Sequence, residues 1–187
     1  MLYTLKYIGV FEIPDGKGSC VITLTDEREE RVLSVVTNHE MAMDLKEHEK
    51  KLESTKSHIL DILYGQFLAA CCTPVYSIRL DADKDKGFKA FMELGDYTEK
   101  PVKVDHAILY SLISGVPLKA TRNAFQFFST PYSKMAHSVA LPIVGLPEPM
   151  LQQALDKAIG DENYELASVI RDEMKRREED DNMLKIE

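Results

Sequence analysis

The sequence predicts an α+β fold: a mixed, largely antiparallel sheet with helices, made of strand-strand-helix units that read as a duplication, and followed by a C-terminal α-helical hairpin. Three observations predict it. Short runs of β-branched and aromatic residues are punctuated by Pro, Gly and Asp, which is strand and hairpin patterning. Each group of strands leads into apolar residues at helical spacing behind a capping residue, and this happens twice. The C-terminal residues then show helical spacing on two short arms about one turn. At 187 residues, with 44% hydrophobic and 29% charged side chains, the chain holds one ordinary core plus an appendage.

The elements follow in order. Residues 2–13 read as a strand that ends at Pro14-Asp15-Gly16, Cys20–Thr25 as a second, and Arg31–Val36 as a third across the charged turn Asp26–Glu30. Asn38 can cap a helix over 39–52, with Met41, Met43 and Leu45 against many Glu and Lys. Ser54 or Ser57 can start the next, whose Ile59, Leu60, Ile62, Leu63 and Phe67 are expected to be well buried. Val75–Leu80 and Phe88–Leu94 form a hairpin across a polar turn, and Pro101–Val104 is a short strand. Asp105 is the expected N-cap of a helix through Leu112 that Gly115 ends. Val116–Leu118 is extended, and Thr121 can cap a helix near Asn123–Phe128. Ser57-His58-Ile59 and Asp105-His106-Ala107 resemble one another, and the duplication is read in that register. Residues 131–149 are a Pro-rich linker whose Val139–Val144 stretch is expected to lie against the domain or a neighbouring subunit.

The hairpin and an acidic tail occupy 150–187. Leu151, Leu155, Ala158 and Ile159 share one face of the first arm; Tyr164, Ala167, Ile170, Arg171 and Met174 share one face of the second. Gly160 can take the left-handed conformation that ends the first arm, and Asp161 can cap the second. Helix nucleation is costly, so two such arms need a partner surface, on this chain or on another protein. Leu151, Leu155, Tyr164, Ala167, Ile170 and Arg171 are the candidate partner-binding residues, with Arg171 placed to pair with a carboxylate at the crossing.

Bulk properties exclude several classes. A net charge of −8 argues against tight, indiscriminate nucleic-acid binding, though a local basic cleft remains compatible with it. No apolar run reaches membrane-spanning length, and the N-terminus shows no signal-peptide pattern. Cys20 and the adjacent Cys71-Cys72 do not make a disulfide framework, and no Cys-x-x-Cys supports zinc; a reducing cytoplasm is expected. His39, His48 and His137 read as isolated.

The segment from Leu155 through Ala158, Glu162-Asn163-Tyr164-Glu165 and Ala167 to Arg171-Asp172-Glu173 resembles the UVR motif, the helical hairpin through which UvrB and UvrC meet and which also occurs in Clp-type ATPases and their adaptors. The usual Asp before the Tyr is Asn163 here. Over roughly residues 1–130 the order of pieces, with Ser57-His58-Ile59, Phe88–Phe91, Lys103-Val104-Asp105-His106-Ala107-Ile108-Leu109 and Gly115-Val116-Pro117-Leu118, resembles the bifunctional nuclease family, some of whose members carry a UVR motif. At the two signature positions, family Asp is Ile59, and family Arg and Asp are Lys103 and His106.

This resemblance implies an α+β fold, self-association, and RNase and DNase activity. Phosphodiester hydrolysis needs an acid and base, a phosphate clamp and often a divalent ion. The candidates are His58 and His106 as acid and base, Asp105 as metal ligand or His orienter, and Lys56 and Lys103 on the phosphate, with Mg²⁺ or Mn²⁺ as the implied ion. Two readings stand side by side: a nuclease directed by its hairpin to a protein partner, and a catalytically silent domain of the same type acting as a binding or adaptor module.

Overall fold

In a computed structural model, residues 1–13, 18–50, 59–70, 74–83, 87–132, 143, 146 and 148–184 are described. Strands β1 (Leu2–Glu12), β2 (Ser19–Asp26) and β3 (Arg31–Asn38) form an antiparallel meander that runs directly into helix α1 (His39–Glu49). Helix α2 (Ile59–Ala70) follows. Strands β4 (Val75–Asp83), β5 (Gly87–Leu94) and β6 (Glu99–Val102) form a second antiparallel meander, which runs into α3 (Val104–Ser114). Then come β7 (Leu118–Thr121), α4 (Arg122–Phe128) and β8 (Ser129–Pro131), and finally α5 (Glu148–Gly160) and α6 (Tyr164–Leu184).

The fold is α+β, with one mixed eight-stranded sheet in the order β6-β5-β4-β7-β1-β2-β3-β8. Strand β7 stitches the two meanders together, lying antiparallel to β1 and parallel to β4. Strand β8 extends the far edge by pairing with β3. It was not legible in the sequence because three residues ending in Pro131 carry almost no pattern.

One face of the sheet carries the core. On β4, Ile78, Leu80 and Ala82 are buried while Arg79 and Asp81 point to the other face, as the two-residue repeat of a strand requires. Leu45 of α1, Ile108 and Leu109 of α3, and Phe128 of α4 close over this face. Tyr3 stacks on Phe125 at 4.2 Å, and Phe88 tilts onto Phe128. Each fully buried aliphatic contributes about 1.5–3 kcal/mol.

Helix ends follow local chemistry. Asn38 caps α1 by accepting from the Met41 N–H at 2.8 Å, and Thr121 caps α4, both as expected. Gly115 ends α3 with φ 71, a conformation in which a Cβ is strained. Asp105, however, is not the N-cap: α3 starts one residue earlier, and Lys103 occupies the cap position with no side-chain bond.

Two further expectations are corrected. Ile59, Ile62 and Leu63 are 69%, 49% and 56% exposed instead of buried. Among the described side chains of α2, the Tyr64 hydroxyl donates to the Ser114 carbonyl at 3.3 Å and its ring meets Tyr110 edge-on. The side chains of Leu60 and Phe67, and all of Ser54, Ser57, Cys71 and Cys72, lie outside the described residues, as do Pro14, Asp15 and Gly16. Second, the topology matches α3 with α1, not α2, because each of these two helices follows the third strand of a meander. The Ser-His register of the duplication is therefore displaced by one helix. Of the linker stretch Val139–Val144 only Ile143 lies among the described residues; it packs on the hairpin, as does Leu146.

In the hairpin, Gly160 remains the last helical residue of α5, and Glu162 takes the left-handed conformation at φ 55. The Asn163 N–H donates to the Ala158 carbonyl and the Glu162 N–H to the Ile159 carbonyl, the double closure of a Schellman turn. Asn163, not Asp161, caps α6 by accepting from the Leu166 N–H at 3.2 Å. Among the described residues no helix is long and apolar enough to cross a membrane.

Candidate functional site

Of the residues expected to do chemistry, His58 and Lys56 lie outside the described residues, as does His137. Lys103, Asp105 and His106 come together at the start of α3, with Lys103 and His106 exposed. The Asp105 carboxylate is engaged twice. One oxygen accepts from the Thr37 hydroxyl at 3.1 Å, and the other from the His106 backbone N–H at 2.9 Å. These bonds clip α3 to the end of β3, so Asp105 holds the backbone of His106 and not its ring.

Thr37 sits two residues before the first residue of α1. The clip therefore brings the starts of α1 and α3 together, and with them His39, which is exposed like His106. Sequence reasoning set His39 aside. The signal that could have found it is its place right after the third strand of the first meander, matching the α3 start in the second. Two helix N-termini and Lys103 at one corner favour an anion from solvent.

Elsewhere on the sheet, Arg79 is held by several partners at once. On the face away from the core its guanidinium meets Glu93 at 3.1 Å, Glu99 at 2.6 Å and Asp81 at 3.6 Å, and lies 4.9 Å from the centre of the Phe91 ring. Asp81 also accepts from the Thr121 hydroxyl at 2.7 Å, and Glu93 from the Ser77 hydroxyl. Three carboxylates around one guanidinium repel a phosphate; this cluster clamps β4, β5, β6 and β7 to one another.

His48, read from the sequence as isolated, is not. Its side chain is 6% exposed, with Nε2 at 2.7 Å from Asp61 of α2 and Nδ1 at 2.8 Å from the Asp44 carbonyl. Burial alone lowers its pKa; the hydrogen bonds to Asp61 and the Asp44 carbonyl outweigh that and raise it. A cleft of about 450 Å³ lies beside the Tyr3–Phe125 stack, where Arg28 and Arg31 are offset by Asp26, Glu27 and Glu30. Its Arg31 guanidinium is bound to the Ser129 hydroxyl and carbonyl, both at 2.6 Å. No group of three or more His, Cys, Asp or Glu side chains among the described residues is placed to hold a metal ion.

The hairpin forms a second hydrophobic cluster that shares no member with the main core. Leu151, Ala167 and Ile170, three of the expected partner-binding residues, are buried at its own seam together with Ala158, and Leu155 packs against them half-buried. These side chains hold the two arms to each other. Tyr164 and Arg171 are exposed. The buried carboxylate of α6 takes other arginines: Glu173 accepts from Arg176 and Arg177 at 2.8 Å each, and Arg177 also donates to the Leu146 carbonyl. Burial pushes the Glu173 carboxyl up, but the hydrogen bonds from Arg176 and Arg177 outweigh it and hold it below the ordinary range. The apolar side chains the hairpin leaves open are Ile159 and Tyr164 beside the turn, and Leu166 and Val169 one helical turn apart on α6.

No protein-family model matches this chain, and no curated protein matches it.

Proposed function

We propose that this chain is a bifunctional-nuclease-type protein that works by contact, with its UVR-type hairpin as the element that docks a protein partner in the cytoplasm. One observation carries the reading: the hairpin closes its own seam and still holds out Tyr164, 69% exposed, and Val169, 54% exposed, beside Ile159 and Leu166. A hairpin that needed the α+β domain to fold would bury these side chains against it. Large apolar groups held on an independent unit are what a docking element requires. The test is binding of the full chain to a purified protein bearing a second UVR-type hairpin. Val169→Asp together with Tyr164→Ala is expected to abolish binding while leaving the far-ultraviolet circular dichroism unchanged. Binding that survives both changes overturns the reading.

Phosphodiester hydrolysis is the second reading, and the exposed Lys103 and His106 at the joined starts of α1 and α3 favour it. There an incoming phosphate meets a lysine and two helix N-termini, with the exposed His106 ring beside them. Mg²⁺ or Mn²⁺ would stabilise the charge on the phosphate when bound. Nuclease turnover with either ion on single- and double-stranded substrates, for the wild type and His106→Ala, decides it. A loss of a hundredfold or more, in the range of general acid–base catalysis, supports hydrolysis at this corner; unchanged turnover removes His106 from it.

A further inference from the structure

The placement of His48 has a consequence outside any nuclease or docking role. Both ring nitrogens face acceptors, the Asp61 carboxylate at 2.7 Å and the Asp44 carbonyl at 2.8 Å. A neutral imidazole carries one N–H and can donate to only one of them; the imidazolium donates to both. We propose that a proton on His48 latches helix α2 to α1, so that α2 is held fast when the ring is charged and loosened when it is neutral.

The groups around the ring fit this assignment. Asp61 faces it from α2 and Asp44 from one turn back on α1. Glu47 and Glu49 flank it along α1. From β1, Tyr7 lies in the field of Glu49, and Glu12 pairs with Lys46 at 3.6 Å. From α3, Tyr110 faces Tyr64 of α2. Among the described residues, the carboxylates of Asp61 and Asp44 act on the ring and favour the imidazolium. Among the described side chains, α2 also meets the body through the Tyr64 hydroxyl bond to Ser114 and the edge-on contact with Tyr110, while Ile59, Ile62 and Leu63 face outward. The proton on His48 thus completes a bridge from α1 to α2.

The sign follows from the raised ring pKa. The stabilisation is complete below the ordinary histidine value and is lost as pH rises through the folded value. Amide hydrogen exchange of the full chain between pH 5.5 and 9, corrected for the intrinsic rate, reads it directly, with α1 as internal reference. Protection across α2 is expected to fall about tenfold or more over that interval, the loss of one charge-assisted bond. His48→Gln and Asp61→Asn should each leave α2 protection flat with pH, and the ring resonance of His48 should titrate lower in Asp61→Asn than in the wild type. PH-independent protection of α2 in the wild type, or an unaltered profile in either variant, overturns the latch. Should His48→Gln fail to fold, Asp61→Asn, on the solvent side of the pair, and the ring titration still decide it.

Discussion

Leu151→Ala is the sharpest test of whether the hairpin stands by itself. Leu151 is fully buried, and among the described residues the other buried members of its cluster are Leu146, Ala158, Ala167 and Ile170. Truncating a buried Leu to Ala costs about 2–5 kcal/mol through lost transfer free energy and the cavity left behind. Helices of 13 and 21 residues, at about 0.05–0.15 kcal/mol per residue, hold a total stability of about 2–5 kcal/mol. The substitution is thus comparable to everything the hairpin has. It should melt α5 and α6 at 25 °C and leave the eight-stranded sheet folded, because the two hydrophobic clusters share no residue. Hydrogen exchange read by segment gives the result: protection lost across 148–184 and kept in β2 and β4. If β2 and β4 lose protection in step with α6, the chain is one cooperative unit, and the argument from separate clusters fails.

Three other outcomes are expected. Asn163→Ala removes the N-cap of α6 and should lower hairpin stability by about 1 kcal/mol, measured by denaturant melts of helical signal. The lowered Glu173 carboxyl contributes stability that is present above the ordinary carboxylate range and lost as pH falls through its folded value, so the hairpin should melt in acid before the sheet, and Glu173→Gln should flatten that limb of the pH profile. Arg79→Ala takes the guanidinium from Glu93 and Glu99 and should lower the unfolding free energy of the α+β domain by about 1–3 kcal/mol, read from thermal melts, whereas His106→Ala, at an exposed site, should leave it within about 0.5 kcal/mol.

The strand patterning, the caps at Asn38 and Thr121, the left-handed Gly115 and the presence of a C-terminal hairpin were legible because each depends on residues close in the chain. Period-two alternation, a side chain reaching three residues along, and a Cβ-free turn are local physics. Even the errors in the hairpin were small ones of position: the left-handed residue is Glu162 and not Gly160, and the cap is Asn163 and not Asp161.

What needed the tertiary structure was everything set by partners distant in sequence. Asp105 read as a helix cap because Thr37, 68 positions away, gives no local sign that it will take that carboxylate. His48 read as isolated because Asp61 stands on another helix. Strand β8 exists because β3 offers it an edge. The apolar residues of α2 were expected inside, since hydrophobicity alone drives burial, but which of them find a cover depends on where the sheet and α3 leave room. Sequence by itself determined the local elements of this protein, whose energies are short-ranged. Only the folded chain decided which carboxylate meets which donor and which apolar face stays open, because those outcomes follow from packing between elements far apart along the chain.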